Sequence, residues 1–465
     1  MKDDTLSTDD AVTPALPETD PVAMAAAFEE FFQHEYPGLG LRVQQCRVTR
    51  VYQKPGKACL IAYRVQGHDH HGRPFDQWLH GRLQRNGAVA GGGESATPSW
   101  SAGDFWKPVS LWPERRMVVH AFPHDPKLPQ LARLKDADFI RQNVERNLAE
   151  FGLSGAWHCT EVFDHKVKYM PGKRCVLRYR VSLRHAAGEQ QTRTFYSKTT
   201  DDASGRTVAA ALRVICASRA CAAGVLNVPA PIAYLPEIKT LWQHAWEGES
   251  LTRRCAERGW ATLAHAPVLP KIAAMLAALH QIELPAELQR PGASPATMLT
   301  NARDNAAQIL KFLPEVRERQ AHLLQKMAAT LPRSAAGTPR TTIHGTFKLA
   351  QILVREEQPG LVDFDALAVG DPLYDVAEFL ASVIYLRVSD GVAAAPITAA
   401  AALFVESYAA LVPWPCERRR LAWYVTAFLL GKMHSSLKRM EREARQQVVA
   451  AFALLEELLE SPAGL

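Results

Sequence analysis

The chain has 465 residues, 47% of them hydrophobic and 22% charged, with a formal net charge of +6. That length supports two or three domains with sizeable cores. The charge excess is small and no Lys/Arg block stands out, so a nucleic-acid binder is not implied. The most apolar stretches, AAMLAALH (273–280) and AWYVTAFLLGKM (422–433), are too short for a membrane span and read as core helices. Eight cysteines form no C-x-x-C pair. With no signal peptide they read as reduced, mostly buried thiols of a cytoplasmic protein.

Residues 1–21, MKDDTLSTDDAVTPALPETDP, are acidic, small and proline-containing, and are expected to be a disordered tail. Beyond them the sequence repeats itself. PGKACLIAYRV (55–65) and PGKRCVLRYRV (171–181) share seven of eleven positions at an offset of 116. Each is followed by a polar turn and a second strand, WLHGRL (78–83) or TFYSKT (194–199). Arg82 and Lys198 keep the same offset. The pattern predicts two homologous β-hairpins, each a Pro-Gly turn, a strand, a loop and a return strand. The stretch GAVAGGGESATPSWSAGDF (87–105) reads as a long loop. Its three glycines lack the Lys-Ser/Thr and helix that a phosphate cradle requires.

In the second copy Lys198 ends an aromatic strand and precedes a polar turn and the helix TVAAALRVICA, which contains no acid. VPAPIAYLPEIKTLWQHAWEGESL (228–251) reads as a strand and a turn at Gly248. Residues 269–285 read as an amphipathic helix closed by Pro285, with His280 as a core or cap residue. TTIHGTFKLAQILV (341–354) reads strand, tight turn at Gly345, short loop, strand. PGLVDFDALAVGDPLYDVAEF (359–379) reads turn, strand, an acidic tip at Asp363 and Asp365, then a helix started by proline after Asp371. Two such strands bring to one edge what phosphoryl transfer needs: hard oxygen ligands for Mg2+ from Asp363 and Gln351, and positive charge from Lys348. Three further amphipathic helices close the chain.

HGTFKLAQ and DFDALAVGDPLYDVA lie over the pattern H-G-D-x-x-x-x-N and D-F/W-x-x-A-x-x-G-D-P-x-x-D-L-A, so residues 157–440 resemble the aminoglycoside phosphotransferase and choline kinase family. The resemblance implies an α+β, bilobal, protein-kinase-like fold. It also implies ATP and Mg2+ as cofactors, and an unidentified small-molecule hydroxyl as acceptor. The expected division is a module at 22–145, a nucleotide lobe with hinge at 146–250 and a helical lobe at 251–465. Residues 45–135 resemble an extra N-terminal module found in some branches of the family.

Carried across by position, Asp363 and Gln351 stand for the metal ligands, His344 for the loop anchor, and Asp371 and Asp375 for the structural acids near the following helix. Lys198, Lys173, Gln243 and Trp246 are the expected nucleotide contacts. Thr346 occupies the place of the catalytic Asp and cannot accept a proton at neutral pH, so Asp365 is the candidate substitute beside Lys348 and His344. Two functions stay open: a weakened ATP-dependent phosphotransferase, or a pseudokinase acting as a nucleotide-binding scaffold.

Overall fold

The computed structural model describes residues 17–52, 59–83, 106–332, 339–438 and 443–461. The first Pro-Gly-Lys turn and the glycine-rich stretch 87–105 lie outside these residues, as do residues 1–16 of the expected tail. The chain divides into two compact units, residues 1–205 with 232–243, and residues 206–231 with 244–465.

In the first unit order begins earlier than the tail reading expects. Pro17–Thr19 forms a turn of 3-10 helix, and Asp20 caps helix α1 (Pro21–Glu35) by accepting the Val22 and Ala23 amides. An Asp at the cap with Pro at the first helical position is a strong start signal, and it outweighs the acidic composition around it. Met24, Phe28, Phe31 and Phe32 recur at helical spacing and form the buried stripe of α1.

Five strands follow: β1 (Arg42–Tyr52), β2 (Cys59–His68), β3 (Pro74–Leu83), β4 (Val109–Trp112) and β5 (Met117–Ala121), ordered β1-β2-β3-β5-β4. After helix α2 (Ala137–Arg146) come β6 (Trp157–Met170), β7 (Arg174–His185), β8 (Gln190–Thr200), β9 (Pro231–Leu235) and β10 (Thr240–His244), ordered β6-β7-β8-β10-β9. The two sheets share one topology. Leu60 pairs with Arg82 and Val176 with Lys198, the same register at the same offset.

The duplication reaches beyond the hairpins read from the sequence. The links β4–β5 and β9–β10 are both Pro-Glu 3-10 turns ending in a left-handed residue, Arg116 (φ 47°) and Lys239 (φ 47°). The two sheets therefore correspond strand for strand, not only at their central strands. Their cores touch, since Trp78 of β3 and Phe122, just after β5, pack in the cluster that holds Tyr179, Phe195 and Trp242 of the second sheet.

The second unit is mainly helical. It contains α3 (Ser204–Cys216), α4 (Arg219–Ala222), α5 (Leu251–Arg258), α6 (Val268–His280), α7 (Pro295–Phe312) and α8 (Arg317–Ala329). After these come α9 (Leu373–Ile384), α10 (Leu386–Ser389), α11 (Ala394–Ala409), α12 (Arg418–Lys438) and α13 (Ala444–Glu460). Helix α6 ends at His280, short of Pro285, because the Gln281 amide already closes the last turn on Ala278 and Leu279. Between α8 and α9 lie four short strands, β12 (Thr341–Ile343), β13 (Ile352–Arg355), β14 (Gln358–Leu361) and β15 (Ala368–Gly370). β13 and β14 form a hairpin that pairs with β11 (Glu249–Ser250), and β12 pairs with β15. Nearly every side chain of α9 is buried, so this helix is the axis on which the loops after β12 and β14 rest. No described helix is long and apolar enough to cross a membrane. Five of the eight cysteines are buried.

Candidate active site

The loop after β12 is built around one buried carboxylate. Asp375, on the first turn of α9, accepts the backbone amides of His344 (2.6 Å) and Gly345 (2.9 Å) and faces His280 Nε2 at 3.1 Å. The Nε2–H of His280 donates to that carboxylate, and its Nδ1 lies 2.7 Å from the Tyr408 hydroxyl. The Tyr408 oxygen in turn accepts the Trp414 indole at 3.2 Å. Asp375 and His344 have no exposed surface, and a buried charge is tolerated only with such a full set of donors. His280 is thus the core residue that the sequence implied, and it orients the acid that holds the loop.

Gly345 has to be glycine. Its φ is 77°, and a Cβ there would lie 2.2 Å from the Ala366 carbonyl oxygen. Gly345→Ala is expected to destabilise the helical unit by about 2–3 kcal/mol, from a strained backbone and a clash with main chain. Urea denaturation tests this, and a loss under about 0.5 kcal/mol would contradict the close approach.

His344 faces the Val362 carbonyl oxygen with Nε2 at 3.2 Å, so its ring ties the loop after β12 to the residue before Asp363. Thr346 Oγ1 lies 3.4 Å from His344 Nδ1, so its hydroxyl is turned toward its own loop. Asp363 is left-handed, φ 74°, a conformation that Asp adopts more readily than most residues and that concentrates at functional sites. Its Oδ2 accepts from Gln351 Nε2 at 3.1 Å. Neighbouring oxygens of an octahedral Mg2+ shell are about 2.9 Å apart, so this pair has the spacing of adjacent ligands once the Gln351 amide oxygen is turned inward. Among the described residues there is no group of three or more His, Cys, Asp or Glu able to hold a metal by itself. A cation at Asp363 and Gln351 would need phosphate and water oxygens to complete its shell, the usual arrangement for Mg2+ with a nucleotide. The donor chemistry fits.

Lys348 and Asp365, both half-buried, lie on the two loops carrying this pair. Asp371 accepts the Leu373 amide at 3.0 Å, the Tyr424 hydroxyl at 2.9 Å and Arg420 Nε at 2.8 Å, which joins the start of α9 to α12. Trp246, in the second unit, lies 5.4 Å beneath the Arg355 guanidinium and covers Gly360, where a Cβ would meet the indole at 2.5 Å.

The other expected nucleotide contacts belong to the first unit. Along β8, Phe195, Ser197 and Thr199 are buried, so period-two alternation puts Lys198 on the opposite, half-buried face. Gln243, on β10, is half-buried. Lys173 is exposed, 5.7 Å from the Tyr52 ring, in the Pro-Gly-Lys turn between β6 and β7. Buried Asp125 holds that turn by accepting the Gly172 amide at 2.6 Å and the Tyr169 hydroxyl at 2.8 Å.

Two features have no counterpart in the sequence reading. A pocket of about 350 Å3 opens among α7, α9 and α12, lined by Met298, Asn301, Asp304, Asn305, Tyr374 and Phe428 among others. Glu378, on α9, is only 8% exposed. The sequence did carry a signal for Glu378: it is an acid inside an otherwise apolar helical run, three residues after Asp375.

A strand-rich unit followed by a helix-rich unit, with a histidine loop and an acidic turn resting on one buried helix, makes an α+β, kinase-like fold. Residues 190–414 match the model of the phosphotransferase enzyme family, so the resemblance read from the loops holds over that segment. Among solved structures the chain is similar to a choline kinase from Cryptosporidium parvum, with 10% identity, a TM-score of 0.45, and coverage of 70% of this chain and 96% of that one. It is also similar to an amicoumacin kinase in complex with AMP-PNP, Ca2+ and its antibiotic, with 12% identity, a TM-score of 0.43, and coverage of 68% and 94%. A thermostable mutant of an aminoglycoside phosphotransferase gives 16% identity, a TM-score of 0.42, and coverage of 68% and 98%. These values are too low to carry an activity or a substrate to this chain. A comparison with curated proteins gave no match.

Proposed function

We propose that this protein is an ATP-dependent phosphotransferase that moves the γ-phosphoryl group onto a hydroxyl of a small molecule. The observation that carries the reading is Asp363, held left-handed with Gln351 at 3.1 Å, inside the segment that matches the phosphotransferase family. Asp363 and Gln351 would hold Mg2+, which when bound neutralises charge developing on the phosphates. Lys348 supplies positive charge from the histidine loop. The family resemblance also assigns nucleotide contacts to Lys198, Lys173, Gln243 and Trp246. His344, Gly345 and Asp375 keep the loop in one geometry, so that positioning carries most of the acceleration.

The pocket lined by Asn301, Asp304, Asn305 and Tyr374 suits a small polar alcohol. The acceptor is a small molecule of the cytoplasm, neither a nucleic acid nor a membrane component. A second reading rests on Thr346, whose hydroxyl faces His344 Nδ1 and cannot serve as a base. In that reading the protein binds nucleotide as a scaffold without transfer.

Thermal unfolding with ATP, with and without Mg2+, tests nucleotide use. ATP at a hundred times its Kd should stabilise the chain by about 2.7 kcal/mol, and only when Mg2+ is present. No shift at millimolar ATP with Mg2+ would overturn the proposal. Binding without turnover would favour the scaffold.

A further inference from the structure

Helix α9 sets two acids on one face. Asp375 is satisfied three times over by the histidine loop and His280. Glu378, three residues on and so on nearly the same side of the helix, is not. It is 8% exposed, and its Oε2 has no hydrogen-bond partner among the described residues. A buried carboxyl oxygen left in this state is unfavourable for the fold, and such groups usually persist where something else must bind.

The charges that reach Glu378 come from the elements already described. Lys348 extends from the histidine loop. Lys432 comes from α12, with its Nζ 3.1 Å from the hydroxyl of Ser382, one turn further along α9. Burial pushes the Glu378 carboxyl up to about 7, helped by the Asp375 charge and opposed by both lysines. Tyr374, one turn before Glu378, lines the pocket, and burial together with the charges of Glu378 and Asp375 raises its phenol. Gly431, the neighbour of Lys432, lines the same pocket. An acid thus lies close behind the pocket wall, within charge range of the histidine loop, in a chain that has Thr where the resembled family pattern has Asp.

We propose that Glu378 is the group that receives the proton of the acceptor hydroxyl, acting from α9 in place of the carboxylate that the loop lacks. The inference rests on the phosphotransferase reading. The acceptor oxygen forms a bond to the γ-phosphorus as its O–H bond passes a proton to Glu378. The bond from the γ-phosphorus to the β,γ-bridging oxygen breaks, and its electron pair leaves with the nucleoside diphosphate. Neutral Glu378 then returns the proton to water. A base with pKa near neutrality is well matched to this proton transfer.

The test uses the full chain with Mg2+ and ATP, water serving as the acceptor. Glu378→Gln, Glu378→Asp and the double variant Glu378→Gln/Thr346→Asp are compared with the parent from pH 5 to 9. The parent should lose hydrolysis as pH falls through about 7. Glu378→Gln should fall about a hundred-fold or more at pH 8 and lose that limb, while Mg2+-dependent stabilisation by ATP is retained. Glu378→Asp should keep part of the activity, and Thr346→Asp should raise the Gln variant at least about ten-fold.

Stability supplies a readout that a structural role would move the other way. A carboxyl raised in the folded state favours folding below its ordinary pKa, and that contribution is lost as pH rises through about 7. Glu378→Gln should therefore melt higher than the parent at pH 8, with the gain shrinking toward pH 5. Parental turnover and pH profile in Glu378→Gln would overturn the inference and leave the phosphotransferase reading standing. A parent that neither binds nor hydrolyses ATP overturns both.

Discussion

Asp363→Asn should reduce Mg2+-dependent ATP hydrolysis by about a thousand-fold or more, because it removes the charge from the Asp363–Gln351 pair proposed to hold the metal. A thousand-fold loss corresponds to about 4 kcal/mol of transition-state stabilisation, within what a metal ion at developing phosphate charge supplies. Asn is the informative replacement. It tolerates the left-handed backbone at φ 74°, so the fold should be kept while the charge is lost. Asp363→Ala should show the same loss of activity together with about 1 kcal/mol of destabilisation, the strain of placing Ala in that region. Steady-state hydrolysis at varied Mg2+, beside urea denaturation of both variants, separates the two effects. Parental Mg2+ dependence in Asp363→Asn would remove Asp363 from the metal site.

Asp375→Ala should have the largest effect on stability. Its carboxylate serves the amides of His344 and Gly345 and the Nε2 of His280, and all three donors would be left without an acceptor in a site closed to water. Each buried donor stripped of its partner costs about 1–3 kcal/mol, and these losses overlap. The expected change is about 3–5 kcal/mol, enough to leave a marginal domain largely unfolded at 37 °C. Asp375→Asn should fall between Ala and the parent, since one oxygen remains but an amide N–H now faces another donor. The midpoint of urea unfolding is the measurement. A change under about 1 kcal/mol would mean that the loop is held by something other than this acid.

The duplicated hairpins were legible because β-structure writes itself into sequence at short range. Seven shared positions and the Arg82/Lys198 pair fix two matching strands, and the register of β2–β3 and β7–β8 follows from them. The equivalence of β4–β5 with β9–β10 was harder to read, because it rests on a Pro-Glu turn with a left-handed residue and little else. Composition argued for a tail through residue 21, whereas the local cap at Asp20 and Pro21 decides the outcome.

For the candidate site, the sequence by itself determined which residues are offered. Spacing within HGTFKLAQ and from Asp363 to Asp375 depends on covalent neighbours, so it identifies the loops, the pair Asp363 and Gln351, and the odd Thr346. What those residues face was decided by tertiary structure. His280 meets Asp375 across 95 positions of chain, and Tyr408 meets His280 across 128. No local pattern encodes such pairings. Asp375 and Glu378 look alike as letters on one apolar helix. Packing gives the first three donors and leaves an oxygen of the second without one among the described residues, because whether a buried carboxyl is satisfied depends on which distant elements close over it.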